Sequence, residues 1–139
     1  MGPSAAGVRR RVLLAVAPET RPRMNAVAEG WDARYVESAA NLVRALATAR
    51  HDLIIVGAHF DESNVIDALK QAVSRAQRTP VVCLRGTGFV SALGAGTVAA
   101  LRLASEALGA DCFIDLGRFP DDAAGNARVR AMIERLFEE

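Results

Sequence analysis

Short apolar runs that lack polar alternation recur along this chain and constrain its fold more than any other feature. Val12–Ala17, Leu53–Val56 and Val81–Leu84 are apolar at successive positions. Strands of this kind are buried on both faces and lie in the middle of parallel sheets. Between them lie longer stretches with apolar residues at helical spacing, such as the helix predicted from the N-cap Ser38 to Ala49. The sequence therefore predicts alternating strands and helices around a parallel sheet.

Two further runs and four further helical stretches complete the pattern. Trp31–Val36 and Cys112–Ile114 predict the second and fifth strands. The other predicted helices are Pro22–Glu29, a stretch carrying Val65 to Val73, Thr97–Leu108, and a last helix that begins at Pro120 and Asp121. Right-handed crossovers place helices on both faces of such a sheet. Five strands and five helices at this length indicate a three-layer, flavodoxin-like α/β fold.

The composition fits one domain and excludes several function classes. The chain has 139 residues, 51% of them apolar, with 17 basic against 16 acidic side chains. This balance favours neither nucleic acid nor an anionic membrane as the main partner. The apolar stretch near the N-terminus is too short for a signal peptide or a membrane span. We expect a cytoplasmic protein in which residues 10–139 form the domain, and residues 1–9 are a flexible extension or a cloning remnant. Cys83 and Cys112 lie in apolar runs, which predicts buried, inert thiols.

Four short motifs lie at or before the strands. They are Arg11–Leu14, Asp52–Val56, Thr79–Leu84 and Gly109–Ile114. In residue type, order and spacing they resemble the receiver domain of bacterial two-component response regulators. The second, third and fourth motifs correspond to the receiver patterns "P-D-L-I-L-x-D", "T-P-V-I-x-L" and "G-A-D-D-Y-L". The resemblance spans residues 10–136. It implies a strand order of 2-1-3-4-5 and a role in signal transduction.

The groups that a phosphorylatable receiver uses are missing from the matching positions. Such a receiver holds Mg²⁺ with two acids after strand one and accepts the phosphoryl group on an aspartate that ends strand three. A hydroxyl after strand four and a lysine after strand five bind the phosphoryl oxygens. In this chain the five positions are Val16, Ala17, Gly57, Arg85 and Leu116. The only lysine, Lys70, lies in the third predicted helix. The resemblance therefore implies the fold without the phosphotransfer chemistry, and we expect no catalytic residue, metal or cofactor.

Polar residues after the strands are the remaining candidates for a ligand site or switch. They are His59, Asp61, Glu62, Arg85, Asp115 and Arg118. The first three offer metal ligands within one turn, but capping of the third helix explains the acids equally, and no second histidine completes a ligand set. Arg85 directs a positive charge at the vacated pocket. Pairing with Asp61, Glu62 or Asp115 would mimic the charge neutralisation of a phosphoryl–lysine contact, whereas a solvent-facing loop arginine is the alternative.

By resemblance, the fourth helix, fifth strand and fifth helix form the expected surface for a protein partner or a homodimer. It comprises Val98, Leu101, Leu103, Phe113 and the exposed side of residues 122–130. We therefore expect a non-phosphorylatable signalling or scaffolding module that acts through protein contacts. One alternative is a sensor of an anionic ligand such as a nucleotide, bound by the glycine-rich passage 86–96 with Arg85 and Arg118. Another is an enzyme using His59, although no nucleophile or cofactor motif accompanies it.

Overall fold

The computed structural model describes residues 9–58, 65–76, 78–86 and 95–137, and these form one parallel sheet with helices on both faces. The strands are β1 (Arg11–Ala15), β2 (Asp32–Val36), β3 (Leu53–Gly57), β4 (Val81–Arg85) and β5 (Cys112–Asp115). The helices are α1 (Arg21–Val27), α2 (Ala39–Thr48), α3 (Val65–Ala76), α4 (Ala95–Ala107) and α5 (Ala123–Phe137). The strand order is β2-β1-β3-β4-β5. The predicted α/β fold and its strand order are confirmed.

The core consists of two apolar clusters, one on each face of the sheet, because successive residues of a strand point to opposite faces. On one face, Leu14 and Ile55 pack with residues of α1 and α5. On the other, Leu13 and Ile54 pack with residues of α2 and α3, and Leu101 of α4 lies against the same cluster. β3 and β4 are buried along their whole length. This burial on both faces explains why their sequences show no polar alternation.

Helix caps predicted from the sequence take up the expected geometry. Ser38 Oγ accepts a hydrogen bond from Asn41 N at 3.1 Å, which marks the start of α2. Gly30 and Gly109, after α1 and α4, have φ angles of +89° and +105°. Only glycine adopts this left-handed conformation without strain. At Gly109 a Cβ atom would also come within 3.0 Å of Val73 Cγ1.

Several helix boundaries and the end of β1 differ from the prediction. β1 ends at Ala15 rather than Ala17, because Pro18 opens a short 3-10 turn over residues 18–20. α1 covers residues 21–27 rather than 22–29, and α4 covers residues 95–107 rather than 97–108. α5 begins at Ala123, not at Pro120 and Asp121. Its first turn is capped by Asp122, whose Oδ1 accepts a hydrogen bond from Gly125 N at 2.8 Å.

Three strands extend one residue further than predicted: β3 ends at Gly57 rather than Val56, and the extensions of β4 and β5 change the site. β4 ends at Arg85 and β5 ends at Asp115, and these two residues are register partners across the sheet. Both were predicted to lie in the loops that follow the strands. As strand residues they have a fixed backbone and project from the same row of the sheet. A second 3-10 turn, Leu116–Arg118, follows directly after β5.

Candidate functional site

A buried ion pair lies at the carboxyl ends of β4 and β5. Arg85 Nε is 3.0 Å from Asp115 Oδ1, and Arg85 Nη2 donates a hydrogen bond to Asp115 Oδ2 at 3.3 Å. The side chains are only 8% and 11% exposed. Of the partners considered for Arg85 from the sequence, the structure places Asp115 against it. The solvent-facing alternative for Arg85 is wrong, because the extended strand carries its side chain inward.

Backbone groups surround the pair and hold it in place. Asp115 Oδ1 also accepts a hydrogen bond from Gly117 N at 3.0 Å, which caps the 3-10 turn after β5. Arg85 Nη1 lies 3.5 Å from the carbonyl oxygen of Gly86. A Cβ atom at Gly117 would lie 3.0 Å from Arg85 Nη2. The close approach of the guanidinium to the turn therefore favours glycine at this position.

Four of the five positions at which the sequence resemblance expects the phosphorylation site are buried by apolar packing. Val16, Ala17 and Leu116 are 1%, 6% and 1% exposed, and Gly57 is buried. A Cβ atom added at Gly57 would meet Val16 Cγ1 at 3.3 Å and the carbonyl oxygen of Ala15 at 3.4 Å. Within the described part of this edge, these four residues pack as part of the apolar interior.

A second buried arginine, Arg23 of α1, supports the segment after β5 and was not identified from the sequence. It is 7% exposed. Its guanidinium donates to Leu116 O at 3.1 Å, to Phe119 O and Pro120 O at 2.8 Å each, and to Asn126 Oδ1 at 2.8 Å. Arginine supplies 16 of the 17 basic residues. Nothing in the local sequence distinguishes Arg23 from the exposed ones, because its acceptors lie about a hundred residues away.

The other candidate residues do not join the ion pair in the part of the chain that the structure describes. Arg118 is exposed in the turn after β5, and Lys70 is exposed on α3. His59, Asp61, Glu62 and the glycine-rich passage from residue 87 to residue 94 lie outside the described residues. Within the described ranges, no group of three or more His, Cys, Asp or Glu side chains is placed to hold a metal ion. None of the described helices is both long and apolar enough to cross a membrane.

The two cysteines lie on neighbouring strands but face opposite sides of the sheet. Cys83 is fully buried, and burial raises the pKa of its thiol to about 12, against a smaller lowering by a hydrogen bond with Ser105. Cys112 pairs in register with Val82 rather than with Cys83. The prediction that both thiols are buried is wrong for Cys112, which is half-buried because β5 is an edge strand. Burial, together with the nearby Asp111, raises the pKa of the Cys112 thiol.

The predicted contact surface is apolar but only partly exposed. Leu101 and Phe113 are half-buried and pack against the cluster under α2 and α3, and Val98 is half-buried. Leu103 is 67% exposed and is the most exposed large apolar side chain among the described residues. The outer face of α4 carries it with small exposed residues and with the exposed Arg102–Glu106 ion pair: Ala99, Ala100, Arg102, Leu103, Glu106 and Ala107.

Solved receiver domains match this arrangement of strands and helices along almost the whole chain. A receiver domain of a sensor histidine kinase from Pseudomonas aeruginosa, which holds a magnesium ion in its active-site cleft, aligns with a TM-score of 0.72 at 15% identity. The alignment covers 95% of this chain and all of that one. The chain has the receiver-domain fold.

Other receiver-fold proteins align equally well. A response regulator from Thermotoga maritima gives a TM-score of 0.70 at 15% identity, covering 95% of this chain and all of that one. A phosphorylated cyanobacterial phytochrome response regulator gives 0.68 at 16% identity, covering 95% and 96%. No protein-family model and no curated protein matches the chain. The receiver fold is thus shared with proteins whose sequences differ widely from this one.

Proposed function

We propose that this receiver-fold domain is a signalling or scaffolding module that accepts no phosphoryl group and acts through protein contacts. The observation that supports the proposal is the buried ion pair between Arg85 and Asp115, which lies beside the apolar residues Val16, Gly57 and Leu116. In a phosphorylatable receiver the same edge carries free acids, and its charge changes when the phosphoryl group is added. Here the described part of the edge already carries a balanced pair of charges.

The described part of this edge supplies few of the groups that phosphoryl transfer needs. Mg²⁺ takes oxygen ligands, and Val16 and Ala17 have no side-chain oxygen. Gly57 provides no nucleophile at the end of β3. Asp115 is an acid at a strand end in the described part of this edge, but its two oxygens already contact Arg85 and Gly117 N. To act as a nucleophile, Asp115 would have to give up one of these contacts at a side chain that is only 11% exposed.

The same ion pair gives a physical reason for a single, fixed state. Separating two buried charges leaves each without its partner, at a cost of several kcal/mol. The ends of β4 and β5 are therefore held in one arrangement without any added group. The alternative of a sensor that binds an anion between Arg85 and Arg118 is less well supported, because Arg85 is paired with Asp115 and Arg118 is exposed in the next turn.

Incubation with acetyl phosphate and Mg²⁺, followed by intact-mass spectrometry, tests the loss of phosphorylation. We expect an unchanged mass, while a receiver that has the full set of acids becomes phosphorylated in a parallel sample. A phosphoryl group on Asp115, or on any residue of the carboxyl edge, would contradict the proposal.

The outer face of α4 is the surface that we propose for protein contacts, including contact with a second copy of the chain. Its small side chains allow a partner to approach closely, and Leu103 supplies apolar area. Leu103→Glu should weaken self-association in sedimentation equilibrium, because it places a charge in an apolar contact. Ala47→Glu, at an exposed position on α2, is the matched control and should have no effect. Wild-type protein that stays monomeric at all concentrations would contradict self-association.

A further inference from the structure

A cavity of about 560 Å³ lies at the opposite edge of the sheet, where the strands begin. We name it the amino-edge cavity. Arg10, Asp52, Pro80 and Asp111, which come just before β1, β3, β4 and β5, lie at its rim, and Phe137 at the end of α5 forms part of its wall. Its volume falls in the range of sites that hold small molecules, roughly 300 to 1,000 Å³. It is separate from the Arg85–Asp115 pair and has no part in the proposed function.

The two arginines that line the amino-edge cavity, Arg10 and Arg78, have N–H donors available for a ligand. Arg10 lies over the ring of Phe137, with its Cζ 4.7 Å from the ring centre. In the described parts of the chain, no oxygen accepts a hydrogen bond from the guanidinium of Arg10 or of Arg78. A guanidinium carries five N–H donors in a planar fork that matches a carboxylate. The cavity therefore presents two unused forks beside apolar and aromatic surface.

The two carboxylates of the cavity are already engaged by the backbone. Asp52 Oδ2 accepts a hydrogen bond from Arg11 N at 2.8 Å, and Asp111 Oδ2 accepts one from Val81 N at 2.8 Å. These bonds tie the carboxylates to the starts of β1 and β4. In this arrangement the acids fix the strand ends while the arginines remain available for a ligand.

The charges around the cavity limit how negative a ligand can be. Two arginines and two aspartates balance formally, and the carboxyl end of α5, which carries a partial negative charge, also faces the cavity. A ligand with two negative charges would be repelled by Asp52 and Asp111. A single carboxylate can take one fork while an apolar body contacts Val73 and Leu136.

We propose that the amino-edge cavity binds a small organic monocarboxylate with an apolar or aromatic body. The fork of Arg78 binds the carboxylate, and the apolar wall that includes Phe137 contacts the body of the ligand. Residues of this chain at the amino edge line the site. Its occupation does not require any change at the carboxyl edge.

Amide-resolved NMR titration with benzoate tests this proposal. We expect saturable shifts of the amide signals of four residues that line the cavity: Thr79, Val81, Gly109 and Asp111. Benzyl alcohol and benzylamine keep the ring but lack the negative charge, and phenyl phosphate carries a larger one. All three should bind at least about tenfold more weakly than benzoate. Benzyl alcohol and benzylamine have no carboxylate for the guanidinium fork, and Asp52 and Asp111 repel the larger charge of phenyl phosphate.

Arginine variants separate recognition by the cavity from general attraction to a basic surface. Arg78→Gln should weaken benzoate binding about tenfold, because it removes a charge-assisted contact. Arg44→Gln, at an exposed position on α2, is the matched control and should leave binding unchanged. Both positions are exposed, and amide spectra will confirm that the fold is retained. The proposal is overturned by the absence of saturable shifts, by equal binding of benzyl alcohol or benzylamine, or by equal binding to Arg78→Gln.

Discussion

At the scale of single residues, the Arg85–Asp115 pair has a large energetic effect because both side chains are almost fully buried. Removing one partner leaves the other as an uncompensated buried charge. We predict that Arg85→Gln lowers the free energy of unfolding by about 3 kcal/mol, as measured by urea denaturation. Asp115→Asn should have an effect of the same sign, with the added loss of the charged acceptor for Gly117 N.

A double-mutant cycle shows whether these losses come from the pair itself. The double variant Arg85→Gln, Asp115→Asn removes both charges and should be more stable than the sum of the single effects implies. Arg44→Gln on α2 is the control for losing an exposed arginine and should stay within about 0.5 kcal/mol of wild type. Single variants that also fall within this range would show that the pair contributes nothing.

The two cysteines should differ in reactivity because their thiols differ in burial. Burial raises the pKa of the Cys83 thiol to about 12 from its ordinary 9.0, so the thiol stays neutral in the folded protein at moderately alkaline pH. The thiolate is the reactive form. We predict that iodoacetamide modifies Cys112 first and modifies Cys83 only on unfolding, as followed by peptide mass spectrometry. Equal rates in the native protein would contradict this assignment.

The same shift has a consequence for stability. The folded-state pKa of Cys83 lies above the unfolded value, so the unfolded chain releases its proton first as pH rises. The contribution is complete below pH 9 and is lost between about pH 9 and pH 12. Cys83→Ser, which does not ionise in this window, should show a smaller alkaline loss of stability than wild type does.

At the scale of elements, Arg23 connects α1 to the segment between β5 and α5. Four acceptors share its guanidinium, and three of them are backbone carbonyls. A lysine keeps the charge but cannot reach several acceptors in a plane. We predict that Arg23→Lys lowers the free energy of unfolding by about 2 kcal/mol in urea denaturation. Arg44→Lys is the exposed control. An unchanged stability for Arg23→Lys would show that charge alone, and not the planar fork, is required.

The order and type of the elements follow from sequence signals that are local. β3 and β4 are buried on both faces, and their unbroken apolar runs already predict this. Ser38 is an N-cap both by residue type and in the structure. The first residue of a helix was harder to predict where several neighbouring residues could cap it. The sequence suggested that α5 begins at Pro120 and Asp121, but Asp122 is the residue that caps it.

The site was predictable only in part, because its contacts join distant residues. The resemblance to receivers placed Arg85 directly after β4, and the strand order brings it beside Asp115. No local signal shows that both strands extend by one residue or that the pair is buried. Arg23 has no local signal at all, since its burial depends on the position of α1 against the segment that follows β5.

At the scale of the whole molecule, the two edges of the sheet have different character. The carboxyl edge carries an internal ion pair and apolar packing at Val16, Gly57 and Leu116. The amino edge carries a cavity with two arginines whose guanidinium groups have no acceptor in the described parts of the chain. The fold has the strand arrangement of receivers, and in the described residues the charges at the ends of β4 and β5 pair with each other.

The most direct measurement is an amide-resolved NMR titration with Mg²⁺ and beryllofluoride, which imitates a phosphoryl group on an aspartate. We predict no saturable shifts at Gly57, Arg85 or Asp115, because the apolar residues Val16 and Ala17 supply no metal ligands and Asp115 is paired. A receiver that has all its acids serves as the positive control. Saturable shifts at these three amides would contradict the central claim that the carboxyl edge no longer binds a phosphoryl group.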